Sequence, residues 1–152
     1  APVGKMLARG ITVALGTDGC ASNNNLDMFQ EMDTAAKLAK VAALDPTILP
    51  APLVVRMATR NGALTMGLEQ AAGALEVGKR ADIILIDIRK PHLTPLYNEY
   101  SHLVYAVNGA DVETVIIDGR PVMEDGRLLT IDEKEVMTRV NKIASQLRGS
   151  FS

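Results

Sequence analysis

A chain of 152 residues can bury one sizeable core or parts of two smaller ones. Hydrophobic residues make up 47% and charged residues 22%, with aromatics at only 3% and no Trp, so the core must be aliphatic, built from Leu, Val, Ile, Ala and Met. A formal net charge of -2 leaves no electrostatic footprint for nucleic acid or an anionic membrane, no apolar run reaches a membrane span, and the single cysteine, Cys20, excludes an internal disulfide and suits a reducing compartment, so the expected location is cytoplasmic.

The chain opens APVGKMLARGI, with no initiator Met and with apolar residues already in helical spacing; Met removal or a preceding segment would each explain it. Val3 to Arg9 reads as the end of a helix stopped by Gly10. Ile11 to Gly16 is a continuous apolar run with β-branched members, the pattern of a strand covered on both faces in a parallel sheet. Leu26 to Leu44 reads as a long helix, with apolar positions at Leu26, Phe29, Met32, Ala36, Leu38 and Val41. Asn24 or Asn25 is its expected N-cap, and Asp45-Pro46 ends it. A second helix is expected from about Ala51 to Asn61, with Pro52 tolerated in its first turn and Gly62 near its end.

The style changes near Gly73, where two turn glycines lead into a strand, Asp82 to Ile88. After the loop KPHLTPLYN and the apolar segment His102 to Val107, Val112 to Ile117 is another strand. Asp118-Gly119 signals a hairpin, Pro121 to Met123 the return strand, and Asp125-Gly126 a further turn. Ile131 to Leu147 closes the chain as a helix capped by Thr130 or Asp132, with Val136, Val140, Ile143 and Leu147 on one stripe. Residues 1–72 thus look like the tail of a parallel α/β unit, and residues 73–152 like strands that need further strands to complete a sheet.

The chemistry-bearing candidates are few. Asp18, in GTDG after the Ile11 to Gly16 run, is either a turn residue capping its own backbone or a carboxylate at a strand's carboxyl end, able to ligate a metal or accept a proton. Ser22, Asn23 and Asn24 could grip a polar substrate, or could equally form a cap and a turn. His92 and His102 flank a loop without any HxH or helical His pair, and read as hydrogen-bonded structural histidines. Cys20 reads as a small buried residue rather than a nucleophile. The glycines of Gly73 to Gly78 follow no strand and open no helix, so they turn the chain rather than cradle phosphate.

Three stretches go beyond these separate signals: GTDGCASNNNLDMFQEMDTAAKL, ATRNGALTMGLEQAAGALEVGKRADIILID, and KPHLTPLYNEYSHLVYAVNGADVETVIIDGRPVMEDGRLL. In order and spacing they resemble the carboxyl-terminal portion of the amidohydrolase superfamily, in particular its 5-methylthioadenosine/S-adenosylhomocysteine deaminases and the related guanine deaminase and triazine chlorohydrolase-like enzymes. The resemblance implies an α/β fold, the C-terminal fragment of a metal-dependent (β/α)8 barrel plus part of a flanking β-sandwich. Residues 1–72 then hold the last barrel strand and its helices, and residues 73–152 the sandwich strands and closing helix. It further implies that Asp18 ligates a zinc (or iron) ion and takes a proton from the attacking water. The histidine ligands and proton-shuttling glutamate that accompany such an aspartate have no match here and are expected before Ala1.

On this reading the chain is part of a hydrolase acting on C–N bonds other than peptide bonds, deaminating an adenine-type nucleoside, and is inactive and without bound metal in isolation. A purine nucleoside or another heteroaromatic small molecule is the expected partner, with neither nucleic acid nor membrane. Unsatisfied sheet edges and apolar faces predict a homo-oligomer. The alternatives are a triazine chlorohydrolase-like or guanine deaminase-like hydrolase, or a non-catalytic assembly module.

Overall fold

The computed structural model describes residues 1–150, in a fold that combines packed helices with one small antiparallel sheet. The elements are α1 (Val3–Ala8), α2 (Cys20–Asn23), α3 (Met28–Ala43), α4 (Ala51–Ala58), α5 (Arg60–Thr65), β1 (Ile83–Ile86), α6 (Glu99–Tyr105), β2 (Val112–Ile117), β3 (Arg120–Glu124), β4 (Arg127–Leu128) and α7 (Glu133–Ser150). Among the described residues no helix is long and apolar enough to cross a membrane.

The core lies where α3, α4 and α6 meet. Phe29, Met32 and Ala36 of α3, Val54 and Met57 of α4, and Val104 of α6 are buried together with Leu49, Ala51, Leu93 and Val107. Spacing of three and four residues puts each helix's contributors on one face. The apolar stripe expected on the long helix is narrower than its sequence suggests. Leu26, Leu38 and Val41 are exposed, because no described element packs on that flank.

Two helix boundaries differ from expectation. The cap of α3 is Asp27, whose Oδ1 accepts the backbone N–H of Phe29 at 2.9 Å, rather than Asn24 or Asn25. The helix expected over Ala51 to Asn61 breaks at Thr59 (φ -124°, ψ -91°), and α5 then carries Gly62 in its interior. Gly73, by contrast, sits where only glycine fits: its φ is +84°, and a Cβ there would lie 2.7 Å from that of Ala63.

The expected strand at Ile11 to Gly16 carries no ladder in the described structure. A strand of a parallel sheet exists only beside other strands, and helices flank this one instead. Leu15 N–H donates to Met57 O at 3.1 Å, and Asn61 Nδ2 donates to Val13 O at 2.8 Å, so α4 and α5 hold the segment.

The sheet runs β1-β2-β3-β4, antiparallel throughout. Its turns follow the sequence: Asp118 and Gly119 have φ of +52° and +75°, Asp125 and Gly126 +49° and +71°, the pair of left-handed residues that a tight hairpin requires. β1 is an edge strand with Ile84 and Leu85 half exposed. Asp132 Oδ1 accepts Glu135 N–H at 3.0 Å, which starts α7 as expected. The stripe of that helix, Val136, Val140, Ile143 and Leu147, is exposed rather than packed.

Candidate functional site

Asp18 lies in the loop after Ile11 to Gly16 and before the single-turn helix α2. Its φ is +58°, a conformation that Asp tolerates better than most residues. The carboxylate is exposed and held at both oxygens: Ser22 Oγ donates to Oδ2 at 2.7 Å and Gly19 N–H donates to Oδ1 at 2.8 Å. The Ser22 hydroxyl foremost, and then the Gly19 amide, hold the carboxyl below its ordinary value, so Asp18 is ionised at neutral pH. Each oxygen still has acceptor capacity beyond its one partner.

The other loop candidates are placed close by. Ser22, as noted, faces Asp18. Asn23 Nδ2 donates to Glu31 Oε1 on α3 at 2.6 Å. Asn24 ends α2 in the left-handed region at φ +65°, and Asn25 donates to Gln30 Oε1 at 2.6 Å while accepting Asp27 N–H at 3.2 Å. The asparagine run is therefore a hydrogen-bonded bridge from α2 to α3.

Cys20 is exposed, not buried as its size and apolarity suggest, because it sits on α2, a single turn with no buried residue. The histidines are both hydrogen-bonded away from Asp18. His102 Nδ1 donates to Asn98 O at 3.2 Å, and His92 Nε2 lies 3.0 Å from Asp111 Oδ2. Asp111 is a buried carboxylate that its sequence context does not reveal. Lys90 Nζ reaches its Oδ1 at 2.8 Å, and the Asn108 N–H reaches Oδ2 at 2.9 Å. Burial pushes the Asp111 carboxyl up, but the hydrogen bonds from Lys90, His92 and Asn108 outweigh it and bring it down to about 2.

Among the described residues, no three histidine, cysteine, aspartate or glutamate side chains converge to hold a metal ion. A protein-bound zinc takes three or four ligands, and Asp18 supplies one carboxylate. The residues present therefore do not by themselves fit a metal.

The chain is 62% identical over 151 residues to the 5-methylthioadenosine/S-adenosylhomocysteine deaminase 1 of Syntrophus aciditrophicus (strain SB), covering 99% of this chain and 34% of that protein. It is 53% identical over 147 residues to the 5'-deoxyadenosine deaminase of Methanosarcina mazei, covering 97% of this chain and 34% of that one. Its fold superposes on the crystal structure of an adenosine deaminase from Xanthomonas campestris with bound zinc at a TM-score of 0.95 and 37% identity, over 98% of this chain and 34% of that one. The chain thus spans about a third of the length of the curated relatives it matches. The family model described as amidohydrolase family matches residues 1–122, which include Asp18, the asparagine bridge and the sheet as far as β3. With the fold and the family model in agreement over most of its length, this chain belongs to the amidohydrolase family.

Proposed function

We propose that the chain works as the carboxyl-terminal third of a metal-dependent hydrolase that deaminates an adenine-type nucleoside. In this reading residues 1–72 carry the last strand and helices of a (β/α)8 barrel, and Ile11 to Gly16 becomes that strand once neighbouring strands flank it. Residues 73–152 carry sandwich strands and the closing helix. The observation that carries the proposal is Asp18 itself: an exposed, ionised carboxylate at the end of an apolar segment, oriented at both oxygens by the chain's own donors.

Its chemical capacity follows from that geometry. With one hydrogen bond on each oxygen, Asp18 has lone pairs left for one ligand bond and for a proton. Metal catalysis needs further ligands from residues outside this chain. What these residues do is hold one carboxylate in a fixed orientation. Ser22 and Gly19 do so directly, and the asparagine bridge ties their loop to α3. The relatives named for methylthioadenosine, S-adenosylhomocysteine and 5'-deoxyadenosine deamination support a nucleoside altered at its 5' position as substrate.

The test is turnover by the full-length protein of adenosine, 5'-substituted adenosines and guanine, read as ammonia release, and of a chlorinated triazine, read as chloride release. Release from the adenosines, fastest with the 5'-substituted members, is the expected outcome. Turnover confined to guanine or the triazine overturns the substrate assignment.

A further inference from the structure

Helix α2 is one turn long, contains no buried residue and has no side-chain cap at Gly19. Packing therefore cannot fix it. Yet it carries Ser22, the donor to the Asp18 carboxylate. Among the described residues, a single side-chain hydrogen bond runs from α2 to a packed element, from Asn23 Nδ2 to Glu31 Oε1 at 2.6 Å. Glu31 stands in the first turn of α3, between the buried Phe29 and Met32, on a 16-residue helix anchored in the core. A partly buried hydrogen bond to a charged acceptor is both short and strong, roughly twice a neutral one.

The geometry points to Glu31 as a positioning residue for Asp18, acting through Asn23 and α2 and touching neither substrate nor reacting atoms. This rests on the deaminase reading of Asp18. The line of force runs from the core through Glu31 to Asn23, along one helical turn to Ser22, and from its hydroxyl to Oδ2 of Asp18. Without Glu31, Asn23 keeps no anchor on α3. The loop is then held to that helix only beyond α2, by Asn25 on Gln30. Asp18 keeps its charge but loses its fixed aim, and misplacement of a reacting group on the ångström scale costs up to about a hundredfold in rate.

The experiment compares Glu31→Ala, Glu31→Gln, Asn23→Ala, the Asn23→Ala/Glu31→Ala double variant and Asp18→Ala in the full-length, metal-loaded protein, reading kcat, KM and Tm. A glutamine keeps the carbonyl acceptor that Asn23 needs. The expected result is that Glu31→Ala lowers kcat about tenfold with KM within about twofold, that Glu31→Gln restores it, and that the double variant is no slower than either single one. Tm, moved little by the loss of one surface-near bond, separates this from unfolding. A Glu31→Ala enzyme at wild-type kcat overturns the inference, as does a loss that Glu31→Gln fails to restore or that falls on KM alone. Those outcomes leave the deaminase reading intact while Asp18→Ala remains dead. Full turnover by Asp18→Ala overturns both.

Discussion

Asp111 shows how a carboxylate can be more fixed by its neighbours than by its own sequence. Three residues from two segments meet on it: Lys90 and His92 from the loop after β1, and the Asn108 amide from the turn before β2. Its folded pKa of about 2 lies below the ordinary 3.8. A lowered carboxyl pKa stabilises the fold fully above the ordinary value, and that stability is lost as pH falls through the folded one. Acid unfolding should therefore steepen between pH 3.8 and about 2, and Asp111→Asn should flatten that portion of the titration. At neutral pH the same change should cost about 2 kcal/mol in urea unfolding, the scale of hydrogen bonds to a charged group. The surroundings of Asp18 are local, because its two partners, Gly19 and Ser22, lie within four positions of it. Those of Asp111 were not legible in the sequence, because its partners lie up to 21 positions away and meet only in the fold.

At the scale of elements, α3 is packed on α4 and α6 and is tied by its cap to the turn before β2. Its cap residue Asp27 accepts Phe29 N–H with one oxygen and, with the other, Gly109 N–H at 3.0 Å from the turn that leads into β2. A Cβ on Gly109 would lie 3.3 Å from that oxygen, so the approach is already tight. Asp27→Ala removes a helix cap and a long-range bond together. We expect a loss of about 2 kcal/mol by thermal or urea unfolding, the sum of one cap and one such bond. Asn24 and Asn25 were equally good caps on residue type alone; what selects Asp27 is the start of regular packing at Phe29. The hairpins were readable because Asp-Gly is a local instruction. The Ile11 to Gly16 segment carries no such local instruction: among the described residues it has no strand beside it and none of its residues is fully buried, and α4 and α5 hold it by two hydrogen bonds.

At the scale of the whole molecule, apolar surface remains uncovered among the described residues in more places than the α3 flank. β1 ends the sheet with Ile84 and Leu85 half exposed, the α7 stripe projects from Val136 to Leu147, and an apolar groove of about 460 Å³ opens between α3, α4 and β1. Unpaired edges and contiguous apolar faces favour association. The 152-residue chain expressed alone should therefore elute from size-exclusion columns as a species larger than 16.3 kDa, increasingly so with concentration. This incompleteness was visible in the sequence as strands without enough partners. Which surfaces stay open was not, since exposure is set by neighbours that no periodicity describes.

We propose that Asp18 is one ligand of a catalytic metal assembled from a longer chain. The measurement that tests it most directly is bound metal and ammonia release, taken together, on the full-length protein and its Asp18→Ala variant. Stoichiometric zinc or iron and adenosine-type turnover are expected in the first, and loss of turnover with weakened metal retention in the second. An Asp18→Ala protein that keeps both its metal and its rate would contradict it.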